Sequence, residues 1–235
     1  MNIGIYRSQD QKIIYNSQFA EKIFQDFKHK HTIEYIKDNT IEACVEKIEK
    51  KDLVIIFSHG YDQGIFHRFL DDDGKELPNP EYLVGTRNKN LNIFSGKKVI
   101  AFSCMTALQD ISGLGETVVS QHGCRVYFGF QNYINRELPA DYKDILNIDD
   151  TGNFISSIYS NVFSESLNMA LRNNISFKKF AQLIQYKLRS IIVTSLSEEY
   201  GNHISLNVHE NGARLVMETA NSIFVHGSDD IKFCS

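Results

Sequence analysis

Two side chains stand where they could share covalent chemistry. His59, followed by Gly60, ends the apolar run Leu53-Val54-Ile55-Ile56-Phe57-Ser58, and Cys104 ends a second run, Lys98-Val99-Ile100-Ala101-Phe102-Ser103. A thiol is only partly ionised at neutral pH. A nearby imidazole can take or stabilise its proton and later protonate a leaving amine, so one residue attacks while the other shuttles the proton. Gly60 has no Cβ, so its amide can approach a substrate carbonyl closely; with the Cys104 amide it forms the expected oxyanion hole.

The elements around them must supply that meeting. Continuous apolar runs such as 53–57 and 98–102 are typical of central parallel strands covered on both faces, and groups at the carboxyl ends of such strands converge on one crevice. The stretch from His59 to Cys104 far exceeds the roughly dozen residues that a parallel crossover needs. Upstream, Ile3–Tyr6 and Thr32–Ile36 read as strands. Ser17–Lys28, with Asn16 or Ser17 as cap, and Ile41–Lys50 read as helices with apolar stripes, Cys44 filling the core. Between the two central runs, Gly64–Leu70 reads as a strand, Asp71–Gly74 as a turn, and Pro80–Asn88 as a helix with proline near its start.

Downstream, Gly113–Gln121 reads as a helix and Arg125–Phe130 as a strand, and the acidic, poorly periodic stretch 131–150 as a long surface loop. Phe154–Leu171 and Phe177–Val193 repeat apolar residues at helical spacing, with the second expected to run less than that full span. His203–Val208, Arg214–Glu218 and Ser222–Val225 read as short strands separated by Asn211-Gly212 and Asn221. Alternating strands and helices imply α/β architecture with a mostly parallel sheet, and with no linker or repeat in view the chain reads as one domain, 1–235.

Composition narrows the class. Hydrophobic residues at 42%, charged residues at 23% and only 3 prolines describe a folding globular chain rather than a disordered one. A net charge of −4 offers no broad cationic surface, so direct nucleic-acid binding is not expected. A charge at Arg7 interrupts any leader-like run and no later run reaches membrane-spanning length, so a cytoplasmic protein without membrane contact is expected. Cys44, Cys104, Cys124 and Cys234 follow no disulfide framework, which points to thiols in a reducing compartment.

Blander readings compete. A cysteine or histidine at a strand end is often a satisfied core residue. His122-Gly123 closes a helix, where glycine and histidine both suit the last turn. His226-Gly227 follows an apolar run but sits in an expected hairpin outside the parallel core. Cys124 lies at a strand entrance and Cys234 in a terminus expected to be mobile. His29-x-His31 is too weak a pattern for zinc, so no metal is assigned. The acidic clusters 71–73 and 141–150 read as solvated loops. One of them is a side candidate for pairing with a basic substrate side chain.

The segments Val54-Ile55-Ile56-Phe57-Ser58-His59-Gly60 and Val99-Ile100-Ala101-Phe102-Ser103-Cys104, with Gly115–Phe130 after them, resemble the caspase-like cysteine peptidases. The style is closest to the prokaryotic CHAT-domain and stand-alone caspase-like proteases, and the likeness covers about residues 53–130. It implies a caspase-like three-layer sandwich, a Cys104–His59 pair hydrolysing peptide bonds of a partner protein without a cofactor, a possible regulatory protein partner, and by analogy a role in defence or regulated cell death. The sequence departs from the caspase Gln-Ala-Cys pattern, having Phe102-Ser103-Cys104. Some basic-specific relatives carry Asp where Phe102 stands, so substrate preference stays open. The alternatives are a non-enzymatic Rossmann-like sensor or scaffold, which no glycine-rich phosphate loop supports, and an inactive peptidase relative serving as a binding module.

Overall fold

A computed structural model describes residues 1–235 apart from 11, 12, 15, 16, 71–74, 88, 111, 135–148, 199–205 and 235. The expected turn Asp71–Gly74, the cap candidate Asn16 and residues 135–148 of the expected loop therefore lie outside the described residues.

The described residues form an α/β structure built on a six-stranded sheet of order β2-β1-β3-β7-β8-β9. Its strands are β1 (Asn2–Arg7), β2 (Thr32–Ile36), β3 (Leu53–Phe57), β7 (Lys98–Phe102), β8 (Val126–Phe130) and β9 (Ile223–Gly227). The first five are parallel; β9 runs antiparallel to β8 at the edge. Every residue of β3, β7 and β8 is buried, which explains the unbroken apolar runs: a strand covered on both faces has no solvent-facing position for a polar residue.

Helices cover both faces. α1 (Phe19–Phe27), α4 (Asp149–Asn173), α5 (Phe177–Glu198) and α6 (Leu206–Asn221) pack on the face carrying Ile3, Ile5, Ile55, Phe57, Ile100, Phe102 and Phe128. α2 (Ile41–Glu49), α3 (Leu114–Ser120) and a 3-10 turn at Leu91–Phe94 pack on the face carrying Val54, Ile56, Val99, Ala101 and Tyr127. Alternation along each strand thus splits the interior into two cores, the architecture of three layers. A smaller antiparallel sheet, β4 (Gly60–Tyr61), β5 (Gly64–Leu70) and β6 (Glu76–Gly85), is inserted between β3 and β7. No helix among the described residues is long and apolar enough to cross a membrane.

Several sequence expectations are corrected. Of the helix expected at Pro80–Asn88, residues 80–85 are instead the end of β6, which pairs with β5 through Tyr82, Glu81 and Glu76, and Thr86 and Arg87 form a turn, Asn88 lying outside the described residues. Pro78 and Pro80 lie on the outer strand of the small sheet, where a missing N–H costs little. The strands expected at His203–Val208 and Arg214–Glu218 give way to α6 from Leu206 onward, residues 203–205 lying outside the described residues. Among its described side-chain positions, Gly212, Leu215, Val216, Thr219 and Ala220 are buried, a helical spacing that short β-like pairs had masked. Asn211-Gly212 is therefore no turn, and Gly212 instead faces the side chain of Ile155 on α4.

α5 continues past Val193 to Glu198, and Asp149 and Asp150, expected in a loop, open α4. The N-cap of α1 is Gln18 without a side-chain bond, while Ser17 Oγ donates back to Ile13 O. At α2, Thr40 Oγ1 does cap, accepting from the Ala43 amide. The C-terminus is anchored: Phe233 is fully buried, stacks on Phe177, and its carbonyl accepts from the Lys98 ammonium at 2.7 Å.

Candidate active site at the ends of three strands

β3 and β7 are neighbours in register, with Phe57 opposite Phe102 and their rings stacked at 5.0 Å. His59 and Cys104 each lie two residues beyond that pair, so the two loops leave the sheet side by side. Gly60 shows how close they run. A Cβ built there would lie 2.6 Å from Thr106 Cγ2, 2.8 Å from the Cys104 carbonyl oxygen and 2.9 Å from Ser103 Cβ. Only glycine fits.

The Gly60 amide is also directed. The bond from Phe66 N–H to His59 O, 3.0 Å, flanks the Gly60–Ile65 pair. That makes it a non-hydrogen-bonded pair, whose N–H groups point away from the partner strand. Gly60 N–H therefore faces away from β5.

Beyond Cys104 the chain reverses through Met105, whose φ of 57° lies in the left-handed region. This conformation costs a non-glycine residue about 1 kcal/mol or more and is held by bonds on both sides. Met105 N–H donates to Asn132 O at 3.1 Å and Ala107 N–H to Phe130 O at 3.0 Å, tying the turn to the last residue of β8 and to the segment after it. The same segment reaches the sulfur: Ile134 N–H donates to Cys104 Sγ at 3.3 Å. A donor aimed at sulfur favours the thiolate.

Around His59 the walls are aromatic and acidic. Its ring lies 4.9 Å from Phe69, which packs on Phe66, itself against Tyr61 and Tyr82. Tyr61 is raised above an ordinary phenol first by its hydrogen bond to Tyr133, with the nearby Cys104 adding to the shift. Tyr61 and Tyr133 are both exposed, so they form the outer rim beside the sulfur. On the inner side, Asp10 Oδ2 stands 4.0 Å from His59 Nε2. Asp10 follows β1, the strand next to β3, and its side chain is only 2% exposed. It accepts from Leu70 N–H at 3.2 Å and from Ser8 Oγ at 3.3 Å.

From β1 the chain moves out to β2 on one side and then crosses back past β1 to β3 on the other, so the gap between β1 and β3 is a switch point, where α/β sheets open a crevice. Asp10 and His59 flank it and Cys104 stands one strand further. Asp10, Phe69, Tyr61 and Tyr133 were not read from the sequence. Only Asp10 carried a signal, as a polar residue just past the end of a buried strand.

The other candidates lie elsewhere. Phe102 is buried among Phe57, Phe128, Phe130 and Phe163 and takes no part in the cleft. His226 is buried within β9 and belongs to the main sheet rather than to a hairpin. Its Nδ1 lies 3.0 Å from Glu116 Oε2 and its Nε2 3.0 Å from Ala107 O, so it braces the turn after Cys104. His122 bonds Asn92 Oδ1, and Gly123 has the positive φ of 70° that ends the α3 region. Burial pushes the Cys44 thiol up to about 11 and the Cys124 thiol up to about 12, as befits core fillers. Cys234 is likewise raised by burial. It packs beside Leu171 and its amide is held by Asn174 Oδ1, in place of the mobile end expected.

A comparison with protein-family models finds no match to this chain, and a comparison with curated proteins finds none either.

Proposed function

We propose that this chain is a cysteine endopeptidase of caspase-like architecture, with Cys104 as nucleophile and His59 as general acid/base. The observation that carries the reading is the in-register pairing of β3 with β7, which brings the residues after Phe57 and Phe102 out of the sheet together. The contact of Gly60 with Ser103, Cys104 and Thr106 supports it independently.

The reaction runs in two acyl transfers. The thiolate of Cys104 attacks the scissile carbonyl carbon, a C–S bond forms, and the carbonyl electron pair moves onto oxygen. Gly60 N–H and Cys104 N–H hold that oxyanion. As it collapses the C–N bond breaks and the His59 imidazolium gives its proton to the departing amine. Water then attacks the thioester, losing a proton to His59; the C–S bond breaks, the acid leaves and the thiolate returns. The substrate is a protein segment seated against the aromatic wall of Phe69, Tyr61 and Tyr133. A cytoplasmic setting, a regulatory protein partner and a role in prokaryotic defence or regulated cell death extend this reading by analogy.

Peptide-library cleavage with Cys104→Ala and His59→Ala as controls tests it. Cleavage that either substitution abolishes is expected, together with preferential iodoacetamide labelling of Cys104 that fades in His59→Ala. Labelling spread evenly over the thiols and untouched by His59→Ala overturns the reading and leaves the sensor alternative.

A further inference from the structure

We infer that Asp10 is the positioning residue of this site, an anion that fixes the tautomer of His59 and balances its imidazolium. The inference rests on the Cys104–His59 reading and adds a third group to it. Asp10 sits at the tip of β1, His59 at the tip of β3 and Cys104 at the tip of β7, three adjacent strands in order.

The geometry has three parts. Asp10 Oδ2 faces His59 Nε2 at 4.0 Å, beyond hydrogen-bond length but within ion-pair reach, so the carboxylate favours the ring forms that carry a proton on Nε2. Phe69, tilted 37° against the imidazole at 4.9 Å, holds the ring plane. Asp10 itself is fixed at both oxygens, Oδ1 by Leu70 N–H on β5 and Oδ2 by Ser8 Oγ, so the carboxylate cannot swing away. A buried acid serving only the fold would need those two donors and no imidazole.

The charged and titratable groups around the pair come from each neighbouring element. His59 meets Asp10 after β1 and Phe69 on β5. Cys104 and Tyr133 lie beside Tyr61 on β4, and the Tyr6 hydroxyl of β1 lies within the field of Asp10 while bonded to His67 Nδ1. Asp10 and the Cys104 thiolate are the anions among these partners that favour imidazolium. An opposite charge at about 4–6 Å moves a titration by roughly 1–3 pH units when partly buried.

The test is the pH dependence of Cys104 alkylation by iodoacetamide, which needs no substrate, in the full chain and in Asp10→Asn and His59→Ala. Asp10→Asn keeps acceptor oxygen for Leu70 N–H. Its expected effect is an upward move of the low-pH limb by about one unit and an alkylation rate at pH 6 lower by about ten-fold, with His59→Ala moving the limb at least as far. If His59→Ala moves the limb and Asp10→Asn, with unchanged Tm, does not, the role of Asp10 is overturned while the pair stands. If His59→Ala moves nothing, the Cys104–His59 reading falls and the inference with it. Should Asp10→Asn not fold, the ring nitrogen shifts of His59 in the unsubstituted chain decide: an Nε2–H tautomer agrees, an Nδ1–H tautomer refutes.

Discussion

Replacing Gly60 by alanine adds a single methyl group, and the structure states where it would go. That carbon would meet the Cys104 carbonyl oxygen at 2.8 Å and Ser103 Cβ at 2.9 Å, with Thr106 Cγ2 nearer still at 2.6 Å. Two of these neighbours belong to the main chain or to the first side-chain carbon, and neither can rotate aside. Ordinary contact begins near 3.4–4 Å, so the His59 and Cys104 loops must separate by roughly half an ångström or more. Overpacking of this kind costs about 1–3 kcal/mol. At the middle of that range Tm falls by about 4–8 °C for a chain of this length. The same displacement separates sulfur from imidazole, and misplacement approaching 1 Å lowers a positioned reaction by up to about a hundred-fold. Thermal unfolding followed by fluorescence, and the second-order rate of Cys104 alkylation at pH 7, read the two effects. An alanine variant matching the parent in both measurements would show that the loops do not touch and that no glycine is required at position 60.

His226→Ala is expected to lower Tm by about 5–10 °C, since it opens a buried gap and strands the Ala107 carbonyl that Nε2 now meets at 3.0 Å; a Tm within a degree of the parent would remove His226 as a brace of the Cys104 turn. The chain should also lose stability in alkali. Burial holds Cys44 up at about 11, Cys124 up at about 12 and the Tyr6 phenol well above its usual value, so each keeps its proton in the fold at a pH where the unfolded group has lost it. Their contribution is complete below about pH 9, where unfolded thiols begin to ionise, and drains away as pH rises through the folded values. Tm that is level from pH 7 to about 9 and falls steeply toward 12 is expected; a flat profile over that upper range would contradict the burial of these groups.

The sequence was most informative where a strand is covered on both faces. Leu53–Phe57 and Lys98–Phe102 were located to the residue because burial from two sides demands a nearly continuous apolar run, Lys98 at the entrance of β7 being the charged exception, and such a run has clear ends. The residues just past those ends, His59-Gly60 and Cys104, were legible as site candidates for the same reason. Signals weakened where one residue type serves two purposes. Pro80 suits a helix start and also an edge strand, and the outer position of β6 decided between them. Leu215-Val216 suits a strand and also one face of a helix, and packing against α4 and α5 favoured α6.

What no local pattern could contain is which strand lies beside which. Asp10 sits between Gln9 and Gln11 with no periodicity to mark it. Its meaning comes from β1 pairing with β3, a contact between segments some fifty residues apart. Chemistry-bearing side chains were fixed by the sequence at strand tips, because hydrophobic periodicity is a local property. Their neighbours were decided by strand order, which follows from how the whole chain buries its two apolar faces at once.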